Sequence, residues 1–271
     1  MSTIQYARKG SGEPVVLIHG IGHRRQAWGE VFDRLAESYD VVAVDLPGHG
    51  ESPPPRKPYG FRPLSVAEQL EELFADLGLD RPHVVGNSLG GYLSLLLARR
   101  GSVASATVLS PGGFYTVLEG ALGGGQLVAL KLASYSPAPV LRLFARTPAL
   151  RRLSQGSLYA RTDTLDPELA YSDSLNLRRA RGFAPFFLHL VGSRFEGDVV
   201  VPVTVAWAAK DRILFPHQAG RARTRLPAAT HTSIPGAGHI SMHDAPELVA
   251  RIVVDQIEAT SRRPDPRATV S

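Results

Sequence analysis

The stretch Gly86-Asn87-Ser88-Leu89-Gly90-Gly91 carries the clearest indication of the fold. It follows a short β-branched run at residues 83–85 and leads into an apolar, helix-like run at residues 92–99. The pattern G-x-S-x-G between a strand and a helix predicts a tight turn, where the glycines let the two elements approach because they lack a Cβ atom. Such a turn holds the Ser88 hydroxyl above the end of the strand, near the positive end of the helix. Ser88 is therefore a candidate nucleophile.

Short apolar runs alternate with helix-like stretches on both sides of this motif. The runs that predict buried strands are residues 15–18, 41–44, 83–85, 107–109 and 203–206. The stretches at residues 25–39 and 64–77 lie between them and carry apolar side chains at helical spacing. This alternation predicts an α/β fold with a mostly parallel sheet flanked by helices.

The alternation stops between residues 114 and 197. This span contains several prolines, which predict a series of short helices, and it has no strand-like run. Its ten Lys and Arg against six Asp and Glu give it +4 of the chain's net charge of +5. We therefore expect a core formed by residues 1–113 and 198–260, a helical insertion at residues 114–197 and a disordered tail at residues 261–271.

Composition excludes several functional classes. The 271 residues are 44% hydrophobic, and their basic residues form no run with interleaved aromatics, so we expect no nucleic-acid partner. The absence of cysteine excludes disulfides, thiolate metal sites and a cysteine nucleophile. No stretch is long and apolar enough for a signal peptide or a membrane span, which predicts a cytoplasmic protein without an integral membrane segment.

A serine nucleophile needs a base, and the base needs an acid to orient it. Asp211 follows the predicted strand at residues 203–206, and His239 follows a glycine turn after the last predicted strand. Ser88, Asp211 and His239 thus all follow the carboxyl ends of predicted strands, where catalytic groups of open α/β sheets collect. Asp45 is the rival acid, but it precedes the serine, and we interpret it as a structural residue that fixes the loop to Gly50.

The segment His19-Gly20-Ile21-Gly22 follows the first predicted strand. It resembles a loop that supplies one backbone N–H to an oxyanion hole, here that of Ile21, while Leu89 supplies the other. The remaining histidines lie in turns or at the starts of elements, where structural roles are common.

In this order, the segments resemble those of the α/β-hydrolase superfamily from about residue 4 to residue 258. The resemblance implies an α/β-hydrolase fold in which residues 114–197 form a helical cap, inserted before the strand that bears the acid. It implies a structural role for residues 45–52, Asp-Leu-Pro-Gly-His-Gly-Glu-Ser. The N-terminus is short for the family, so we expect the first of its eight strands to be missing or reduced.

The resemblance further implies a carboxylesterase-like serine hydrolase that acts on a small-molecule ester or ester-like acyl bond without a metal or another cofactor. Ser88 would be the nucleophile, His239 the general base and acid, and Asp211 the residue that orients it. Three alternatives stay open: an acyltransferase or thioesterase, a C–C bond hydrolase on the same triad, and a non-catalytic ligand-binding protein. Oligomeric state and the substrate-binding residues are open too.

Apolar side chains of the insertion are candidates for a pocket lining, although most of them could simply pack the insertion onto the core. These are Phe114, Tyr115, Leu118, Leu122, Phe144, Leu153, Phe183, Phe186, Phe187 and Leu188.

Overall fold

Seven strands form one sheet in the computed structural model, which describes residues 3–262. The strands are β1 (Tyr6–Lys9), β2 (Pro14–Ile18), β3 (Asp40–Val44), β4 (His83–Asn87), β5 (Ala106–Leu109), β6 (Val203–Ala208) and β7 (Thr230–Ile234). Their order is β1-β3-β2-β4-β5-β6-β7. The edge strand β1 runs antiparallel to β3, and the other strand pairs are parallel. The sheet therefore has β4 at its centre.

Helices connect the strands. After a 3-10 turn at Arg25–Trp28 they are α1 (Gly29–Leu35), α2 (Pro63–Asp76), α3 (Leu89–Arg100), α4 (Val117–Ala133), α5 (Ala138–Arg146), α6 (Pro148–Gln155), α7 (Pro167–Arg179), α8 (Phe183–Leu190), α9 (Gln218–Arg225), α10 (Ser241–Asp244) and α11 (Pro246–Ser261). None of the helices within residues 3–262 combines the length and the apolar composition that a membrane span needs.

The sheet is buried on both faces, which explains the continuous apolar runs of its inner strands. Along β2, Val16 and Ile18 pack in one core with residues of α2 and α3. Val15 and Leu17 pack in a second core with residues of α1 and α11. Successive side chains of a strand point to opposite faces, so each run of β-branched residues serves both cores.

The predicted α/β-hydrolase fold with its mostly parallel sheet is confirmed, and the predicted inner strands lie within one or two residues of their observed bounds. The strand β1 was missed, because its Tyr-Ala-Arg-Lys sequence lies half-exposed at an edge and shows no apolar run. Five helices, α4 to α8, lie between β5 and β6, at the place of the predicted helical insertion. Ser261 is the last residue of α11 rather than the start of a tail, and the rest of the predicted tail, from residue 263, lies outside the described residues.

Candidate active site

Ser88 is the single residue between β4 and α3. Its backbone has φ +57° and ψ −112°, a conformation that costs a non-glycine residue about 1–3 kcal/mol. Neighbouring backbone holds it there: the Ser88 N–H donates to the Leu109 carbonyl at 3.0 Å, and the Ser88 carbonyl accepts from Tyr92 and Gly112. The sequence motif thus folds into the predicted strand–turn–helix.

Two glycines of the motif are required by space. A Cβ atom on Gly86 would lie 2.2 Å from the Gly90 carbonyl oxygen, and one on Gly90 would lie 2.0 Å from the Ile18 carbonyl oxygen. Both distances are far below van der Waals contact, so any larger residue would separate α3 from β4 and β2. The close approach brings the start of α3 up to the loop that follows β2.

His239 and Asp211 contact each other through a buried hydrogen bond. His239 Nδ1 donates to Asp211 Oδ2 at 2.8 Å, and Asp211 Oδ1 accepts from the amides of Ile213 and Leu214, each at 2.8 Å. Because the carboxylate only accepts, the neutral imidazole carries its proton on Nδ1 and leaves Nε2 as an acceptor. The two side chains are 4% and 0% exposed, which shields the pair from solvent.

Ser88, His239 and Ile21 line one cavity of about 490 Å³. The loop after β2 lies against the serine, since a Cβ atom on Gly20 would be 3.2 Å from Ser88 Cβ. Leu89 is the first residue of α3, so its amide has no partner within the helix. The structure therefore brings Ser88, His239 and the Ile21 loop to one cavity, with Asp211 behind His239 and Leu89 next to Ser88.

His19 fixes the loop that contains Ile21. The Leu46 N–H donates to His19 Nε2 at 2.9 Å, and His19 Nδ1 donates to the Gly20 carbonyl at 2.7 Å. Burial lowers the pKa of His19 to about 3, and it lowers the pKa of the neighbouring His49 to about 3 as well. Both imidazoles are thus neutral near pH 7 and hold the backbone beside the site.

Asp45, the rival acid, is occupied elsewhere. Its Oδ1 accepts from the Arg25 amide at 2.6 Å, and its Oδ2 accepts from the Glu51 amide at 2.9 Å and from the Arg25 guanidinium. These bonds close the loop around Gly50, as we predicted for Asp45.

The cavity lining is mostly apolar and comes largely from the helical insertion. Of the ten side chains named from the sequence, Phe144, Leu153 and Phe183 line it. Phe114 and Phe186 are buried in the core instead, whereas Leu118, Leu122 and Leu188 are exposed. Among the described lining residues there is no lysine or arginine, which gives no support to binding of an anionic group inside the cavity.

One polar cluster in the cavity wall was not foreseen. The Tyr159 hydroxyl donates to Asp173 Oδ2 at 3.3 Å, Arg24 donates to Asp173 Oδ1 at 3.1 Å, and His23 Nε2 lies 3.9 Å from Asp173 Oδ2. Burial lowers the pKa of His23 and raises that of Tyr159. The one signal in the sequence is that His23 directly follows the His19–Gly22 segment; Asp173 comes from α7, and only the tertiary fold places it there.

Comparison with known proteins agrees with this geometry. A model of the alpha/beta hydrolase family matches residues 15–252. Lipase 3 of Moraxella sp. is 26% identical over 87% of this chain and 74% of its own length. The dihydrolipoyllysine-residue acetyltransferase component of the acetoin cleaving system of Cupriavidus necator is 32% identical over 88% of this chain, which covers only 62% of that protein.

A crystal structure of a membrane phospholipase A, described as a bacterial virulence factor, superposes with a TM-score of 0.76. It covers 96% of this chain and 84% of its own, at 23% identity, so it supports the fold alone.

Proposed function

Because the chain belongs to the alpha/beta hydrolase family, we propose that it is a serine hydrolase that cleaves carboxylic esters through an acyl-enzyme on Ser88. The observation that carries the proposal is the buried pair of His239 and Asp211 beside a cavity that Ser88 also lines. The name of the Moraxella relative, a lipase, supports ester hydrolysis as the reaction class.

Acylation begins when Ser88 Oγ attacks the ester carbonyl carbon while His239 Nε2 accepts the hydroxyl proton. The Asp211 carboxylate stabilises the imidazolium that forms, because it already accepts the Nδ1 proton. The tetrahedral intermediate then collapses: the bond between carbon and alcohol oxygen breaks, and His239 gives its proton to the departing alcohol.

Deacylation repeats the sequence with water. His239 Nε2 takes a proton from a water molecule, whose oxygen attacks the acyl carbon. When the second tetrahedral intermediate collapses, the bond to Ser88 Oγ breaks, the proton returns to Ser88, and the carboxylic acid leaves. No cofactor enters this scheme.

The amides of Ile21 and Leu89 stabilise the negative oxygen of both intermediates. The Leu89 amide opens α3 and has the positive end of that helix behind it. One such donor contributes about 2.7–4 kcal/mol to the stabilisation of the transition state. His19 keeps Ile21 in place through the Gly20 carbonyl.

The substrate is a small ester whose apolar part occupies the cavity between the core and the helical insertion. We assign residues 114–197 as a cap, since Leu130, Phe144, Leu177 and Phe183 come from its helices and line the same cavity as Ser88. The cap then determines specificity, and the core supplies the reacting groups.

The proposal is tested by exposing the protein to a fluorophosphonate probe and measuring its intact mass. Wild type should gain one adduct, and Ser88→Ala none; Ser157→Ala is the matched control, because Ser157 also lines the cavity. Hydrolysis of a short p-nitrophenyl ester should fall by about three orders of magnitude or more in Ser88→Ala. An adduct on Ser88→Ala, or none on folded wild type, would favour a ligand-binding protein instead.

Acyl transfer is a second candidate, because the relative from Cupriavidus necator is named an acetyltransferase. It keeps the acyl-enzyme and replaces water by an alcohol or thiol. Product analysis with an added alcohol separates the two: a hydrolase forms mainly free acid, whereas a transferase forms mainly the new ester.

A further inference from the structure

Every exposed residue of helix α4 is apolar. We call this set the α4 apolar face; it consists of Val117, Leu118, Ala121, Leu122, Gly125, Ala129, Leu132 and Ala133. Val117, Leu118, Leu122 and Leu132 are 77%, 69%, 53% and 67% exposed. The solvent side of a surface helix is normally polar, so this face lacks the side chains that favour contact with water.

The opposite side of the same helix is apolar too. Leu127 and Leu130 line the cavity next to Ser88. α4 is thus a thin apolar wall, with the candidate active site on one side and solvent on the other. Its many glycines and alanines keep this wall narrow.

The cavity reaches the surface at the edge of this face. Ala129 and Ala133 belong to the α4 apolar face and also line the cavity, as does Leu153, which is 76% exposed on α6. An apolar molecule that enters or leaves the cavity here therefore passes directly along exposed apolar side chains.

Cationic groups border the face. Lys131 of α4 donates to three carbonyls at the end of α7, where Arg179 and Arg181 are exposed. The exposed Arg212 is joined to the middle of α4 by a hydrogen bond from Gln126 to its carbonyl. Glu119, at the start of α4, has its negative charge matched by Arg221. Arg179, Arg181 and Arg212 form no ion pair within residues 3–262.

We propose that the α4 apolar face docks on an anionic lipid surface, with Leu118 and Leu122 inserted among acyl chains and the bordering arginines on the headgroups. A helix with an apolar face and cationic flanks lies stably at such an interface. A second copy of this chain fits less well, because a symmetric contact would bring the cationic borders together and cover the mouth of the cavity. This inference goes beyond the proposed reaction, since docking needs no chemistry at Ser88.

Flotation with vesicles tests the docking. Wild type should bind vesicles in which roughly a third of the lipid is phosphatidylglycerol, and bind pure phosphatidylcholine much less. The variant Leu118→Gln/Leu122→Gln should bind at least about tenfold more weakly, because two large side chains no longer enter the apolar layer. Leu64→Gln is the matched control: Leu64 is 57% exposed on α2, and its replacement should leave binding unchanged.

Further arms separate the other outcomes. Arg179→Gln/Arg181→Gln, or higher salt, should weaken binding to anionic vesicles. Ser88→Ala should bind like wild type, so failure of docking and failure of the proposed reaction are distinguishable. Equal binding of Leu118→Gln/Leu122→Gln and Leu64→Gln overturns the proposal. So does a wild-type dimer in sedimentation that only the α4 variant abolishes, because the occupant would then be a second copy.

Discussion

At the scale of single residues, the candidate site depends on side chains that other groups hold in one orientation. Asp211 accepts three hydrogen bonds, two from backbone amides and one from His239, so its carboxylate cannot rotate without losing them. Asp45 is equally buried and equally bonded, but to Arg25 and the Glu51 amide. The two carboxylates therefore differ in their partners and not in their burial, and a matched pair of substitutions distinguishes their roles.

Asp211→Asn should lower kcat by about four orders of magnitude and leave the fold intact. The amide can still accept from Ile213 and Leu214, but it donates to His239 Nδ1 and forces the imidazole proton onto Nε2, where the base is needed. Kinetics with a p-nitrophenyl ester and thermal unfolding of the same samples measure both effects.

Asp45→Asn is the matched control. It leaves the buried Arg25 guanidinium without its charge partner, which should cost about 3 kcal/mol of unfolding free energy, with kcat of the folded protein nearly unchanged. If Asp45→Asn abolished activity and Asp211→Asn preserved it, the assignment of the acid would be wrong.

At the scale of elements, α4 and α7 satisfy each other's C-terminal carbonyls. Lys131 of α4 donates to the carbonyls of Leu177, Arg178 and Ala180, and Arg178 of α7 donates to those of Ser134 and Ser136. The last carbonyls of a helix have no partner within it, and cations are favourable near that end. Burial lowers the pKa of Lys131, which agrees with its place inside this junction.

Lys131→Met and Arg178→Met should each lower the free energy of unfolding by about 1–3 kcal/mol, because carbonyls of the junction lose their donors. The double variant should lose less than the sum, with a coupling of about 0.5 kcal/mol or more, since both residues close the same junction. Denaturant unfolding gives these values, and hydrogen exchange of α4 and α7 amides shows whether the loss is local.

Arg179→Met serves as the control for this cycle, because Arg179 is an exposed neighbour; its effect should stay within about 0.5 kcal/mol. Strict additivity of the two single variants would show that Lys131 and Arg178 stabilise the protein independently.

At the scale of the whole molecule, the core and the helical insertion enclose the cavity together. The central strand β4 leads to Ser88, and the loops after β2, β6 and β7 bring in Ile21, Asp211 and His239. The insertion supplies most of the apolar lining. Substrate size should therefore depend on residues far from the sheet.

Phe144→Ala should extend the range of accepted acyl chains. Each CH₂ group buried by a substrate contributes about 0.8 kcal/mol, or about fourfold in kcat/KM, until the chain fills the cavity. Removing the Phe144 ring enlarges the cavity, so the rise along a series of p-nitrophenyl esters should continue to longer chains. Monomeric substrate concentrations keep this measurement separate from lipid docking.

Leu143→Ala provides the comparison, because Leu143 is the adjacent residue on α5, is 56% exposed and does not belong to the lining. Its chain-length profile should match wild type. Identical profiles for the two variants would mean that the acyl chain does not contact Phe144.

Much of the core was predictable because its signals are local. Residues 15–18, 41–44 and 203–206 are runs of apolar residues that only a doubly buried strand explains. β1 was not predictable, because Tyr6–Lys9 pairs with β3 through backbone bonds and needs no apolar side chains. The polar cluster at Asp173 was not predictable either, because its partners are about 150 residues away along the chain.

The sequence by itself determined the order of the elements, the turn at Ser88 and the candidates Asp211 and His239, because strand periodicity and glycine spacing act over a few residues. Only the tertiary structure decided which apolar side chains of the insertion enter the cavity and which face solvent. Phe144 and Leu118 are both apolar and both lie on helices of the insertion, yet one lines the cavity and the other is 69% exposed. Burial depends on how separate helices pack against one another, and that packing is a property of the assembled molecule.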